Sequence, residues 1–332
     1  MTIASEELAR SPAWYPMALD FARDAILFLR MDEAHYRASS FLDERVVTHG
    51  QETWLPFAEV ERAMAKPAVS RPLHFIFHMG HVGSTLLSRL LDETGGVLSL
   101  REPLPLRAIA DAVDGAVPDV HRRTETLLRL WERGFPDTKT VVLKATSSTE
   151  RIGPKLLAMR PDAKAVMLNV TAEAFLATVL AASNSAADLN ALGPERMHRL
   201  GKFGVTAPRP TTLGELAAMS WLAERMTQVE IQRDCGARAM PVDFDMLLET
   251  PELALTQICA HLEIVQSRDQ IASIAQSRAM SRYSKAQEHE YSPALRRKHL
   301  DEARAAYGEE IRAALDWLAK TASSHPGASA LI

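Results

Sequence analysis

The sequence predicts a three-layer α/β fold: one parallel sheet flanked by helices on both faces, preceded by a helical N-terminal extension. Two observations carry this. Short runs of β-branched and aromatic residues, near 74–78, 97–100, 140–144, 165–168 and 239–244, alternate with longer segments whose apolar residues recur at helical spacing. Such alternation implies parallel strands buried between layers of helix. The first 70 residues read differently. From Pro16 to Arg30, Met17, Phe21, Ala25 and Phe28 recur at helical spacing, and Trp54 to Met64 reads as another helix. The expected divisions are a helical extension over 1–70, an α/β domain over 71–322, and a small polar tail over 323–332 that frays.

Composition bounds the function. The chain has 332 residues, enough for a substantial core. Its 47% hydrophobic and 24% charged residues exclude disorder as the main state. A net charge of −4 excludes a broadly basic nucleic-acid-binding surface. Cys235 and Cys259 lie far apart, which argues against a disulfide scaffold or a cysteine zinc site and fits a reducing cytoplasm. The most apolar stretch, 163–182, contains Lys164, Asn169 and Glu173 and is too polar to span a membrane.

The elements follow in order. Pro67 and Pro72 end the extension. His74 to His78 reads as a buried strand, Met79 to Thr85 as a glycine-containing loop, and Leu86 to Leu91 as a helix ended by Gly95 and Gly96. A strand over 97–100 ends at Arg101-Glu102-Pro103, a helix covers 108–133, and Thr140 to Lys144 is the next strand. A helix over 152–159 stops before Pro161 and leads to the strand 165–168 and a helix to about 182. Residues 183–212, rich in Asn, Gly, Pro and Ser, read as a lid or loosely ordered insertion. Helices over 213–232, 253–262 and 299–319 complete the chain.

The loop Gly80-His81-Val82-Gly83-Ser84-Thr85 is the strongest chemical signal. A strand feeding such a loop and then a helix aims several backbone N–H groups, and the positive end of the helix dipole, at one point. That arrangement suits a phosphate or sulfate. Gly80 and Gly83 let the backbone approach the anion, and Ser84 and Thr85 add hydroxyl donors. Ser84 stands where a Walker A motif carries lysine, which argues against an ordinary ATPase.

The run His78 to Leu87 resembles the 5′-phosphosulfate loop of sulfotransferases, which in many bacterial members reads Pro-Arg-Ser-Gly-Thr/Ser-Thr-Leu-Leu. Arg101-Glu102-Pro103, the strand ending in Lys144, Arg160 to Lys164, and Val242 to Pro251 resemble later family segments in the same order, over about residues 73 to 263. The resemblance implies a divergent member with a P-loop-type sheet. It also implies sulfuryl transfer from 3′-phosphoadenosine 5′-phosphosulfate (PAPS), as co-substrate and without a metal, to a hydroxyl or amine on a small molecule or peptide. It implies that Gly80, His81, Val82, Gly83, Ser84 and Thr85 hold the phosphosulfate. Glu102 would be the general base, and Lys144 and His81 would balance the developing charge.

The chain departs from the family in two places. The loop cation, arginine or lysine in the family, is His81 here, which a neighbouring phosphate favours in its charged form. The expected Arg-Asp-Pro of the 3′-phosphate segment falls on Val170-Thr171-Ala172, whereas the expected serine falls on Thr178, which keeps a hydroxyl. Arg282 and Lys285 are candidates to replace the lost arginine, with Tyr283 as an adenine stacker; a solvated turn explains the same segment. Arg296 to His299 reads as the exposed face of a helix end. His74, His78 and His81 lack matched carboxylates or cysteines, so packing and anion contact explain them more simply than a metal does. Trp14, Tyr15 and Trp54 read as buried anchors before they read as an acceptor pocket. Two other functions fit the residues: a phosphotransferase of the same fold with a different nucleotide donor, and a non-catalytic nucleotide- or partner-binding module.

Overall fold

The computed structural model describes residues 3–46, 51–65, 70–183, 185–286 and 288–332, so Pro67 lies outside the described residues. Eight strands follow in chain order: β1 (Trp14–Asp20), β2 (Ala25–Arg30), β3 (Glu52–Pro56), β4 (Leu73–His78), β5 (Val97–Arg101), β6 (Thr140–Lys144), β7 (Ala165–Asn169) and β8 (Ala239–Asp243). Strands β4 to β8 form one five-stranded sheet in the order β5-β6-β4-β7-β8, every pair parallel. This is the α/β sheet that the alternation predicts.

Successive side chains of a strand point to opposite faces, and both faces of this sheet are buried. Ile76, Val142, Val166 and Leu168 pack with Leu86 and Leu90 of the helix Ser84–Asp92 and with Trp221 of the helix Leu213–Cys235. Phe75, Phe77, Val141 and Leu143 pack on the other side with Leu106, Leu127 and Trp131. The three layers follow directly from that division.

The N-terminal region is not the helical extension that the spacing predicts. Its centre is an antiparallel sheet of order β1-β2-β3, with short helices at Ser5–Arg10, Glu33–Ala38 and Phe57–Met64. The helical count from Met17 to Phe28 runs through a turn. Asp20 Oδ1 accepts the amides of Ala22 and Arg23, each at 2.9 Å, and Asp24 has a left-handed φ of 49°. An aspartate that bonds two residues onward initiates a turn and breaks a helix. Pro16 is tolerated because β1 is an edge strand and its register shifts between Pro16 and Ala18. Trp14, Tyr15 and Phe28 enter the same core cluster as Phe75 and Trp131, so this sheet covers one face of the domain. Buried Arg133 fixes it by donating to the carbonyls of Leu8, Ser11 and Trp14.

Three further expectations change. The helix over 108–133 is two, Leu104–Asp114 and Val120–Trp131, separated where Ala116 and Asp119 take positive φ. The segment 183–212 holds a helix, Ser185–Lys202, docked through Arg196 and Arg199 onto buried Glu224. The tail folds back as a short helix, Pro326–Ser329, in which Ala328 is buried and Ser329 Oγ donates to the Ala322 carbonyl. Among the described residues no helix is long and apolar enough to cross a membrane.

Candidate functional site

The C-terminal ends of β4, β5 and β6 meet at one edge of the sheet, where ligands bind in open parallel folds. Three backbone positions there are left-handed in succession along the loop: Gly80 (φ 87°), His81 (φ 56°) and Gly83 (φ 69°). Gly83 cannot carry a side chain, since a Cβ would stand 1.9 Å from Phe244 Cε2. The loop delivers Ser84 and Thr85 as the first residues of the helix Ser84–Asp92, whose opening amides have no carbonyl one turn back. Thr85 is 1% exposed and its hydroxyl has no hydrogen-bond partner among the described residues. A buried hydroxyl without a partner costs about 1–3 kcal/mol, which a bound acceptor anion would recover. Val82 serves the loop differently, as a buried member of the core.

Glu102 follows β5 in a left-handed conformation (φ 54°) that non-glycine residues adopt at a cost and that clusters at functional sites. Its amide donates to the Lys144 carbonyl at 2.7 Å, which continues the β5–β6 ladder by one residue. Its carboxylate accepts from Lys144 Nζ and lies 3.8 Å from His78 Nε2 and 3.7 Å from Arg107. Burial pushes Glu102 upward, but the charge and hydrogen bond of Lys144, with His78 and Lys285, together outweigh it and hold the carboxyl at about 2. Burial pushes Lys144 down to about 8 against the pull of Glu102. Lys144 is fully buried beneath Glu102 and is not among the groups that line the cleft.

His78 belongs to this group although the sequence reading assigned it to packing. Its Nδ1 accepts the Gly80 amide at 3.1 Å, so Nε2 carries the proton in the neutral ring and points toward Glu102 without a hydrogen bond. Burial lowers His78 to about 3. The one available signal was its place at the C-terminal end of the loop strand. His81 is lowered to about 4 by burial and then by Lys285, so it is neutral near pH 7 in the free protein rather than a standing cation.

One cleft of about 1110 Å³ joins the loop, Glu102, Thr178, Arg282, Tyr283 and Lys285, large enough for a nucleotide and a second molecule. Thr178 donates its hydroxyl to the Ala174 carbonyl at 2.7 Å. The triplet before it holds no arginine and does structural work. Val170 is buried with its carbonyl on Trp221 Nε1, and Thr171 caps the helix Ala172–Ala181. Arg282 bridges to Glu290 through its backbone, and half-exposed Tyr283 stands beside Tyr291. Lys285 lies 5.6 Å from the Phe41 ring centroid, as does Lys144.

Two groups missed from the sequence complete the walls. Residues 41–45 run across Glu102: the Leu42 amide donates to the Arg101 carbonyl and the Leu104 amide to the Leu42 carbonyl. Asp43, 1% exposed, pairs there with both Arg45 and Arg107. On the far side Arg296 is 9% exposed and lines the cleft, so the run 296–299 is not simply an exposed helix face. Trp14 and Tyr15 are core residues, and Trp54 is exposed on β3 away from the cleft. Among the described residues no three His, Cys, Asp or Glu side chains converge to hold a metal ion.

The chain is similar to sulfotransferases. Solved structures that match include the sulfotransferase domain of the Synechococcus olefin synthase, at 16% identity over 73% of this chain and 97% of that one, with a TM-score of 0.41. A mouse sulfotransferase complexed with PAP matches at 12% identity over 78% and 88%, with a TM-score of 0.42. A Mycobacterium avium sulfotransferase matches at 13% over 75% and 79%, with a TM-score of 0.41. No protein-family model matches the chain, and no curated protein matches it in sequence. At that level of likeness the chemistry rests on the chain's own residues.

Proposed function

We propose that the cleft transfers a sulfuryl group from PAPS to a hydroxyl or amine of a small-molecule or peptide acceptor. The observation that carries this reading is the pairing of two features on one cleft. A left-handed loop ends at the buried, unpartnered Thr85 hydroxyl, and an ionised carboxylate, Glu102, stands at the neighbouring strand end. The first is a receptor for an anion and the second for a proton.

In this reading the loop amides, Ser84 and Thr85 hold the 5′-phosphosulfate. The acceptor oxygen or nitrogen forms a bond to sulfur as the bond from sulfur to the bridging oxygen breaks. The electron pair leaves with adenosine 3′,5′-bisphosphate, and the acceptor proton passes to Glu102. Lys144 is a positioning residue that keeps Glu102 ionised and aimed at the cleft. A bound polyanion raises the basicity of Glu102 by like-charge repulsion and draws His81 toward its charged form. Lys285 supplies charge at the transfer end: it faces the cleft beside Phe41 and has no carboxylate partner among the described residues. The walls at Phe41, Arg45 and Arg107 bound the acceptor.

Calorimetric titration with adenosine 3′,5′-bisphosphate, ATP and adenosine 5′-phosphosulfate tests the donor. Binding of the bisphosphate in preference to the other two is expected, without added metal. Preference for ATP or for the nucleotide lacking a 3′-phosphate overturns the assignment. With a donor established, Glu102→Gln is expected to slow sulfuryl transfer by about a hundredfold or more, the usual contribution of a general base.

A further inference from the structure

The donor read above carries two anionic ends, and the loop accounts for one. The residues at 170–172 hold no cation for the other. Arg296 lies across the cleft from them, on the first turn of the helix Pro293–Ser323. It is 9% exposed, and its Nη2 is buried with no hydrogen-bond partner among the described residues. Its Nε donates to Asp245 Oδ1 at 2.7 Å, so one edge of the guanidinium is taken and the other is open. A buried guanidinium nitrogen without an acceptor is costly, and this one belongs to a cleft-lining side chain.

Its position relative to the loop is fixed by a single ring. The guanidinium lies 4.8 Å from the centroid of Phe244, and the same ring occupies the space that a side chain at Gly83 would fill. A molecule anchored by one phosphate in the loop and running past Phe244 therefore meets Arg296. Thr178 and His299 line the same cleft. The opening amides of the Arg296 helix, which runs to a kink at Tyr307, add positive potential. Asp245 and Glu302 are the acidic groups nearby. Asp245 is already engaged by the Nε edge, and Glu302 lies one turn and more along the helix.

We propose that Arg296 binds the second phosphate of the donor, a phosphomonoester dianion, through its free guanidinium edge, with Thr178 and His299 beside it. The assignment rests on the donor reading above and moves the missing arginine from the segment after β7 to the C-terminal helix. A guanidinium suits this task because its planar fork matches two phosphate oxygens.

The test compares the affinities of adenosine 3′,5′-bisphosphate and adenosine 5′-phosphate by calorimetry in four proteins. Wild type is expected to favour the bisphosphate by about tenfold to a hundredfold, the range of a charged hydrogen bond. Arg296→Met is expected to bring the ratio close to one while leaving 5′-phosphate affinity within about twofold of wild type. Arg296→Lys keeps the charge without the fork and is expected to fall between; it also serves if the methionine variant does not fold. Exposed Arg297→Met is expected to keep the wild-type ratio. A ratio unchanged in Arg296→Met, or in Arg296→Lys where only that variant folds, overturns the assignment alone. Wild-type protein that binds neither nucleotide overturns the donor reading and the assignment with it.

Discussion

Lys144 lies directly beneath Glu102: its ammonium donates to the same carboxylate oxygen that faces His78, and the carboxylate covers it from the cleft. The pair is therefore buried and mutually dependent. Removing one partner of such a pair costs about 3–5 kcal/mol, because the survivor is left as an uncompensated charge. Lys144→Met is expected to lose stability in that range in urea unfolding at pH 7, and the double variant Lys144→Met/Glu102→Gln to regain most of it. A double-variant loss equal to the sum of the Lys144→Met and Glu102→Gln losses would show that the pair contributes nothing as a pair.

The same pair sets a pH dependence. Glu102 is held at about 2, below its ordinary 4.5, so the folded protein resists protonation that the unfolded chain accepts. The stability this provides is complete above about pH 4.5 and is lost as pH falls toward 2. Wild type is expected to show a steeper decline in unfolding free energy across that window than the double variant. Parallel curves would contradict the ionised, lysine-held carboxylate.

Gly80 and Gly83 share a left-handed backbone but not an environment. A Cβ at Gly80 meets Ser147 Oγ at an ordinary 3.6 Å, whereas one at Gly83 collides with Phe244. Gly80→Ala is expected to cost about 1–2 kcal/mol, the backbone penalty alone. Gly83→Ala is expected to cost more and to abolish nucleotide binding. The excess should shrink in a Phe244→Ala background, where the collision is gone. Circular dichroism, urea titration and calorimetry on wild type, the three single variants and the Gly83→Ala/Phe244→Ala double variant decide this.

What the sequence made legible is what local chemistry dictates. The strand, left-handed loop and helix from His74 to Leu91 are written in β-branched, glycine and leucine spacing, and Glu102 follows because Pro103 ends its strand in a loop. The N-terminal hairpin was missed because Met17, Phe21 and Phe28 mimic a helical stripe, and only the Asp20 turn breaks it. The depth of Lys144 was missed for a different reason. A strand-end lysine reaches solvent unless something covers it, and what covers it is a carboxylate from another strand, whose left-handed φ no residue pattern announces. Arg296 sits in a basic run that looks solvated, and its burial depends on Phe244 and Asp245, some 50 positions earlier.

Thr85→Val separates binding from stability. The hydroxyl is buried and unpartnered, so replacing it with a methyl of similar shape removes an unsatisfied group. The variant is expected to be as stable as wild type or about 1 kcal/mol more stable, with weaker binding of adenosine 5′-phosphate. A loss of stability would mean that the hydroxyl has a partner in the free protein and is not reserved for an anion.

Arg89 joins three parts of the site. It lies on the loop helix, 8% exposed, and donates to the Ser284 carbonyl at 2.8 Å, the Arg37 carbonyl at 3.2 Å and Ser40 Oγ at 2.9 Å. Lys285 follows Ser284 and Phe41 follows Ser40, so this one guanidinium sets both neighbours of the transfer end. Arg89→Met is expected to weaken adenosine 5′-phosphate binding about as much as Lys285→Met does, roughly tenfold for one charged contact. Combining the two should add little, since the first already misplaces the lysine that the second removes. Arg89→Lys should not restore affinity, because a single ammonium cannot serve acceptors on two separate segments from one plane. Additive losses in the double variant would separate Arg89 from Lys285 and leave the arginine a merely structural clamp.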